Sequence, residues 1–215
     1  MAKSNKELLK KPDEFITLSN KTLNWAKENY KTVIFGISGI VVILLAYFGY
    51  SAYQNNRETV AHEKYFTTEE QTDKSQKQKE LEALVKNYPG TQGGHLGMIS
   101  AANSFFQNKD FGKAIESYQQ ALSKGNFPPE IMTLIKENLG YAFEEKGDYP
   151  SAVKTYSEIA QGPESFQKEE AMIGLGRVYQ KMGKKDEAKK TYQEFIKAYP
   201  NSVYTNLIRN QLTKL

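Results

Sequence analysis

The chain has 215 residues, with 29 Lys and Arg against 25 Asp and Glu, and contains no cysteine. That near-balance gives no case for a nucleic-acid binder, which concentrates basic side chains to displace counterions from phosphates. The missing cysteines exclude disulfides, thiolate metal sites and cysteine nucleophiles, and fit a reducing or an oxidising compartment equally well.

Seven of the basic residues and four of the acids precede Thr32, so the modest excess of positive charge belongs mainly to the N-terminal tail. Within it Pro12 and Asp13 can start a helix, Asp13 and Glu14 suit the first turn, and Phe15, Leu18 and Trp25 recur at helical spacing around Thr22. The segment reads either as a short amphipathic helix lying on a membrane surface or as the beginning of the longer helix that follows.

Between Lys31 and Arg57 there is no Asp, Glu, Lys, Arg or His. Thr32 to Tyr53 has the length and the apolar character that crossing a hydrocarbon layer requires, about 20 residues. Trp25 and Tyr30 before it, and Tyr47, Tyr50 and Tyr53 near its end, are where amphipathic rings would settle at headgroup depth. A cleavable signal would be shorter and nearer the start, and Gly49 and Ser51 make a poor cleavage site. Lys21, Lys27 and Lys31, against Arg57 and Lys64, predict a cytoplasmic N-terminus with the bulk of the chain across the membrane. Gly36, Gly39, Ala46 and Gly49 would permit close approach of another helix, although no strict G-x-x-x-G is present.

The second half carries an internal repeat. Segments beginning at Ala101, Leu139 and Leu175 superimpose: a small residue (Ala102, Gly140, Gly176) stands three positions before an aromatic (Phe105, Phe143, Tyr179). An alanine (Ala114, Ala152, Ala188) follows nine positions on, and a tyrosine (Tyr118, Tyr156, Tyr192) four after that. Each feature has a packing reason in a pair of antiparallel helices. The small residue lets the helices approach, Gly147 and Gly183 end the first helix, and Pro163 and Pro200 stop the second. Lys109, Lys184 and Lys185 depart from the residues expected at their turns. Upstream, "LVKNYPG" from Leu84 parallels "FIKAYPN" from Phe195, so residues 58–87 read as a degenerate first pair. Val203, Leu207 and Leu212 predict a last helix capping the exposed end, as a solenoid needs.

This pattern resembles the tetratricopeptide repeat, with offsets of 38 and 36 residues between the alanines against about 34 in the standard repeat. The extra residues fall in the inter-repeat turns "KGNFPPE" and "QGPES". The expected fold is all-α: a single N-terminal transmembrane helix, then a helical-hairpin solenoid of about three clear repeats, a degenerate one and a C-terminal capping helix. The expected divisions are a cytoplasmic tail over 1–31, a transmembrane helix over 32–53, a linker and degenerate pair over 54–94, and repeats with their cap over 95–215.

Little suggests chemistry. His62 and His95 are too far apart in the repeat map to form a site and read as surface residues. "GTQGGHLG" (Gly90 to Gly97) superficially resembles a phosphate loop, but it follows a helix end and lacks the Lys-Ser/Thr, so it reads as a turn. No catalytic residue, cofactor or metal is expected. Carrying over the register of the tetratricopeptide groove implies Leu96, Ile99, Asn103, Phe106 and Gln107 from the first clear repeat. The second supplies Leu134, Glu137, Tyr141, Glu144 and Glu145, and the third Glu170, Ile173, Arg177, Gln180 and Lys181. That mixture suits extended or unfolded peptide, whereas Glu137, Glu144 and Glu145 would repel a C-terminal carboxylate.

In layout the chain resembles the YfgM-type ancillary subunits of the bacterial Sec translocon. The resemblance implies a non-enzymatic inner-membrane protein whose periplasmic domain associates with Sec translocon subunits and a membrane-anchored periplasmic chaperone, and meets unfolded, emerging polypeptides. A repeat scaffold for another envelope assembly, such as cell division or polysaccharide export, and a mitochondrial outer-membrane import receptor share the layout.

Overall fold

A computed structural model describes residues 14–163 and 167–215. Among them every regular element is a helix: α1 (Glu14–Glu28), α2 (Tyr30–Glu69), α3 (Lys74–Asn87), α4 (Gln92–Gln107), α5 (Phe111–Lys124), α6 (Pro129–Lys146), α7 (Tyr149–Gln161), α8 (Gln167–Lys181), α9 (Lys185–Ala198) and α10 (Thr205–Leu212). The chain divides into two compact units, Met1–Asn56 and Arg57–Leu215. Pro12 and Asp13, and the Glu164 and Ser165 of the "QGPES" turn, lie outside the described residues.

In the first unit, α1 and α2 are separated only by Asn29, whose backbone and side-chain N–H groups both donate to the Trp25 carbonyl. The apolar run from Thr32 to Tyr53 is helical throughout, and none of its side chains is buried. Phe35, Ile43 and Leu45 are each about two-thirds exposed or more.

The second unit is a succession of helix pairs. Residues of α2 from Arg57 onward run antiparallel to α3: Arg57 donates to the Asn87 carbonyl at one end, and Lys77 bonds Glu69 at 2.7 Å at the other. The pairs α4/α5, α6/α7 and α8/α9 follow, each packed on the next. Asp73, Thr91, Asp110 and Asp148 cap α3, α4, α5 and α7 by accepting from backbone N–H groups of the first turn. In the same register α9 begins at Lys184, which makes no such bond, and Asp186 and Glu187 in its first turn offset the helix dipole instead.

The turns inside the pairs share one backbone device. Gly147 (φ 83°) and Gly183 (φ 73°) adopt the left-handed conformation that ends α6 and α8, and Lys109 (φ 61°) takes the same conformation after α4 without being glycine. The parallel between "LVKNYPG" and "FIKAYPN" is structural: Tyr88 and Tyr199 cap α3 and α9 by donating to Leu84 and Phe195, and Thr91 and Thr205 hydroxyls donate back to the two tyrosine carbonyls.

Each second helix plants its repeat tyrosine against a small residue of the first. A Cβ added at Gly140 would lie 2.5 Å from the Tyr156 ring, and one at Gly176 would lie 2.1 Å from the Tyr192 ring. In the first clear repeat Ala102 takes that place and is fully buried with Tyr118. Tyr156 also meets Gly174 of the next pair, at 2.8 Å from a Cβ built there.

Three expectations are corrected here. "GTQGGHLG" is not a turn beyond Gly90: Thr91 caps α4, and Gly93, Gly94 and Gly97 lie within it. Those glycines are required because a Cβ at Gly93 would sit 2.3 Å from the Ala61 carbonyl oxygen of α2, and one at Gly94 2.1 Å from that of Tyr88. The same crowding draws His95 into a buried position, its ring 5.4 Å from Phe127, while His62 is exposed beside Phe66. At the C-terminal end, Val203 (89% exposed) and Leu207 face outward; Ile208, with Leu212 one turn on, covers Tyr192 and Phe195 because α10 starts at Thr205.

These contacts set the expected effects of substitution. Gly176→Ala should lower stability by about 1–3 kcal/mol, as overpacking does in a filled core, and should lower the thermal midpoint of the purified chain. Lys184→Asp should restore the missing cap and raise stability by about 1 kcal/mol, visible in the same melting experiment.

Candidate functional site

The sequence-derived groove residues lie on the first helices α4, α6 and α8, and the structure divides them by burial. Gln107, Leu134 and Lys181 are exposed; Leu96, Ile99, Asn103, Phe106, Tyr141 and Arg177 are half-buried; Glu137, Glu144 and Ile173 are buried. Ile99 and Phe106 lean on the core shared by α4, α5 and α6, and Phe106 meets Phe111 edge-on at 5.5 Å. Ile173 belongs to the core beneath α10.

The repeat tyrosines explain where the polar members point. Tyr156 donates to Glu144 at 3.2 Å and Tyr192 to Gln180 at 3.0 Å, in both cases a residue twelve positions earlier. Twelve positions before Tyr118 stands Phe106, which cannot accept, so Tyr118 turns to Asn103 at 2.6 Å. Asn103, Glu144 and Gln180 therefore satisfy buried hydroxyls, as any buried donor demands.

Around Glu144 the second and third clear repeats are joined by charge. Glu144 is 3% exposed and its carboxylate receives Arg177 in a two-pronged pair, Nε to Oε1 at 2.6 Å and Nη2 to Oε2 at 2.7 Å. Lys181 Nζ lies 2.9 Å from Oε1. Burial alone would raise the Glu144 carboxyl; the bonds from Arg177 and Lys181 outweigh it and hold the group below its ordinary range. The Arg177 guanidinium also lies over the Tyr141 ring at 5.5 Å, and Tyr141 meets Tyr156 edge-on. The expected repulsion of a carboxylate by Glu144 is thereby cancelled within the protein, and Glu145 has Lys181 at 3.9 Å.

Glu137 is the counterexample. It is 8% exposed, and among the described residues no hydrogen bond or ion pair reaches its carboxylate. Burial and then the charge of Glu170 push its carboxyl up to about 7. Glu170 accepts from the Tyr141 hydroxyl at 3.5 Å, and its nearness raises the Tyr204 hydroxyl. Burial, with Glu170 and Glu137, drives the Tyr141 hydroxyl up to about 12. Beside this group Ser202 donates to Glu169. Tyr204 and Ser202 escaped the sequence reading because they follow Pro200, outside the repeat register; the only signal was that a capping segment must fold back on the last pair.

The raised Glu137 carboxyl has a definite sign in stability. A group protonated more readily in the folded state contributes stability that is present below the ordinary value of 4.5 and is lost as pH rises to about 7. Glu137→Gln should therefore flatten the pH dependence of the melting midpoint over that window and stabilise the protein at pH 8 by about 1–3 kcal/mol. Arg177→Ala should act oppositely, costing about 2 kcal/mol at neutral pH because Glu144 stays buried with Lys181 as its one remaining cation.

Residues 23–215 match the profile of the tetratricopeptide repeat-like domain family. Among curated proteins, the human intraflagellar transport protein 88 homolog is 26% identical over 116 residues, 54% of this chain, and the chain spans 14% of that protein's length. Among solved structures, a tetratricopeptide repeat protein from Parabacteroides merdae superimposes with a TM-score of 0.59 at 19% identity, over 74% of this chain and 60% of that one. MamA protein gives 0.56 at 16% identity, over 74% of this chain and 88% of that one. Identities this low speak for the fold alone, while the profile match covers all the helix pairs and the apolar helix before them: the chain belongs to the tetratricopeptide repeat-like domain family.

Proposed function

We propose that this chain is a membrane-anchored, non-enzymatic interaction module whose repeats bind extended or unfolded polypeptide. Tetratricopeptide repeat domains serve generally as protein-interaction scaffolds. The observation that carries the anchored reading is the helical run from Thr32 to Tyr53, apolar throughout and with no buried side chain, in a helix that continues to Glu69. A helix of that character in water would expose a large apolar surface with nothing to cover it; in a bilayer the surface is solvated by lipid. The family match, which begins at residue 23, includes this run.

Lys21, Lys27 and Lys31 before the span favour a cytoplasmic N-terminus and periplasmic repeats. In that orientation the domain would work as an ancillary subunit at the exit of the Sec translocon, beside a membrane-anchored periplasmic chaperone, and would receive emerging chains. Tethering gives a weak groove a high effective concentration of partner, so brief individual contacts are sufficient.

The test is purification of the tagged full-length protein from its native membranes in mild detergent after brief crosslinking, with mass spectrometry of the captured proteins. Translocon channel subunits and a periplasmic chaperone are the expected companions; reproducible recovery of a different envelope complex would replace the translocon assignment. Protease added to sealed inner-membrane vesicles with the cytoplasmic face outward should leave the repeats intact. Their digestion would reverse the orientation and favour an import-receptor topology.

A further inference from the structure

The stripe along α6 that contains Glu137, Tyr141 and Glu144 faces α8, where Glu170 and Arg177 stand one heptad apart. Residues seven apart lie on the same face of a helix, two turns along. Glu137 and Glu144 are likewise seven apart, so the two helices present two equivalent stations. At one, Glu144 meets Arg177 and forms a two-pronged pair. At the other, Glu137 stands one turn before Tyr141, whose hydroxyl donates to Glu170 at 3.5 Å, so two carboxylates flank that ring with no ion pair to either among the described residues.

Glu170 has a hydroxyl donor in Tyr141, whereas Glu137, more than nine-tenths buried, has none among the described residues. The Glu137 side chain is largely buried while its carboxylate stays open enough to meet a guest, and the repeat fold does not require an acid there: the corresponding position in the first clear repeat is Ile99 and in the third Ile173. A bound metal ion is a poor match, since no group of three or more His, Asp or Glu among the described residues is arranged to hold one. A planar guanidinium or an ammonium bridging Glu137 and Glu170 beside the Tyr141 ring would reproduce the neighbouring Glu144–Arg177–Tyr141 arrangement with a guest cation. Leu134, exposed one turn before Glu137, offers apolar contact to the residue next to that cation.

We infer that the Glu137–Glu170 station is a subsite for an arginine or lysine side chain of an extended polypeptide lying along the first helices. The inference rests on the peptide-binding reading above and adds a chemical preference to it. Chains with isolated basic residues among apolar ones are favoured, and acidic segments are rejected.

The experiment uses the full-length protein in detergent micelles and two fluorescein-labelled, unstructured peptides rich in Leu, Ser and Thr. They are identical except that one carries a central arginine and the other citrulline, its neutral isostere. Fluorescence anisotropy should show the arginine peptide binding about tenfold more tightly. In the double variant E137Q/E170Q the ratio of the two affinities should fall to about one, with a melting midpoint at or above that of the parent to show that the fold is retained. Equal affinities for the parent protein, or a preference that persists in the double variant, would overturn the subsite and leave the groove standing. Failure of both peptides to bind would overturn the groove and the subsite together.

Discussion

The close seating of a tyrosine ring against a glycine backbone is the constraint on which the repeat stack depends. Tyr156 and Tyr192 are large, fully or almost fully buried, and each occupies space that even a methyl group on Gly140 or Gly176 would invade. The ring fills the gap left by the missing side chain, which brings the two helices of a pair together and fixes their axial register. Register then decides everything polar: the hydroxyl at the tip of the ring can reach one turn of the first helix and no other, so the residue twelve positions earlier must accept. Where it cannot, as at Phe106, the hydroxyl goes to Asn103 and the first clear repeat loses the means to hold a charge at that depth.

That loss makes the solenoid unequal along its length. The contact between the first and second clear repeats is apolar, built from Met98, Ile115, Ile135 and Leu139. The contact between the second and third adds Glu144, Arg177, Lys181 and Tyr141, and Tyr156 itself touches a glycine on each side of the junction. Buried ion pairs contribute less to stability than their number suggests, because desolvation offsets attraction. What the two-pronged Glu144–Arg177 bond does supply is directionality, which favours one alignment of α6 with α8.

The fold was legible in the sequence because its determinants are local and periodic. Ala102, Gly140 and Gly176, the alanines nine positions after the aromatics and the glycines at the turns all act within one helix pair, at spacings a reader can count. The left-handed backbone at Lys109 and the uncapped start at Lys184 were visible only as departures from the pattern. The site was less legible because its chemistry is settled between pairs. Nothing near Glu144 in sequence announces Arg177, 33 residues on, and nothing near Glu137 announces that its opposite number is another carboxylate. His95 was misplaced for a related reason: the glycines around it looked like a loop, when they are the mark of a helix pressed onto α2. Val203 and Leu207 were assigned to the cap by hydrophobicity, but the phase of α10 is set by the Thr205 hydroxyl donating to the Tyr199 carbonyl and the Ser202 hydroxyl accepting from the Tyr204 N–H, which composition does not reveal.

The position of Tyr156 between Gly140 and Gly174 has a consequence for how the domain opens. In a linear array of repeats, local unfolding spreads from an end until it meets an interface too strong to part. With its ring wedged into two pairs at once, Tyr156 cannot leave one without disturbing the other, so α6 to α9 should melt as a single cooperative block. Slow amide exchange should therefore protect α6 to α9 together.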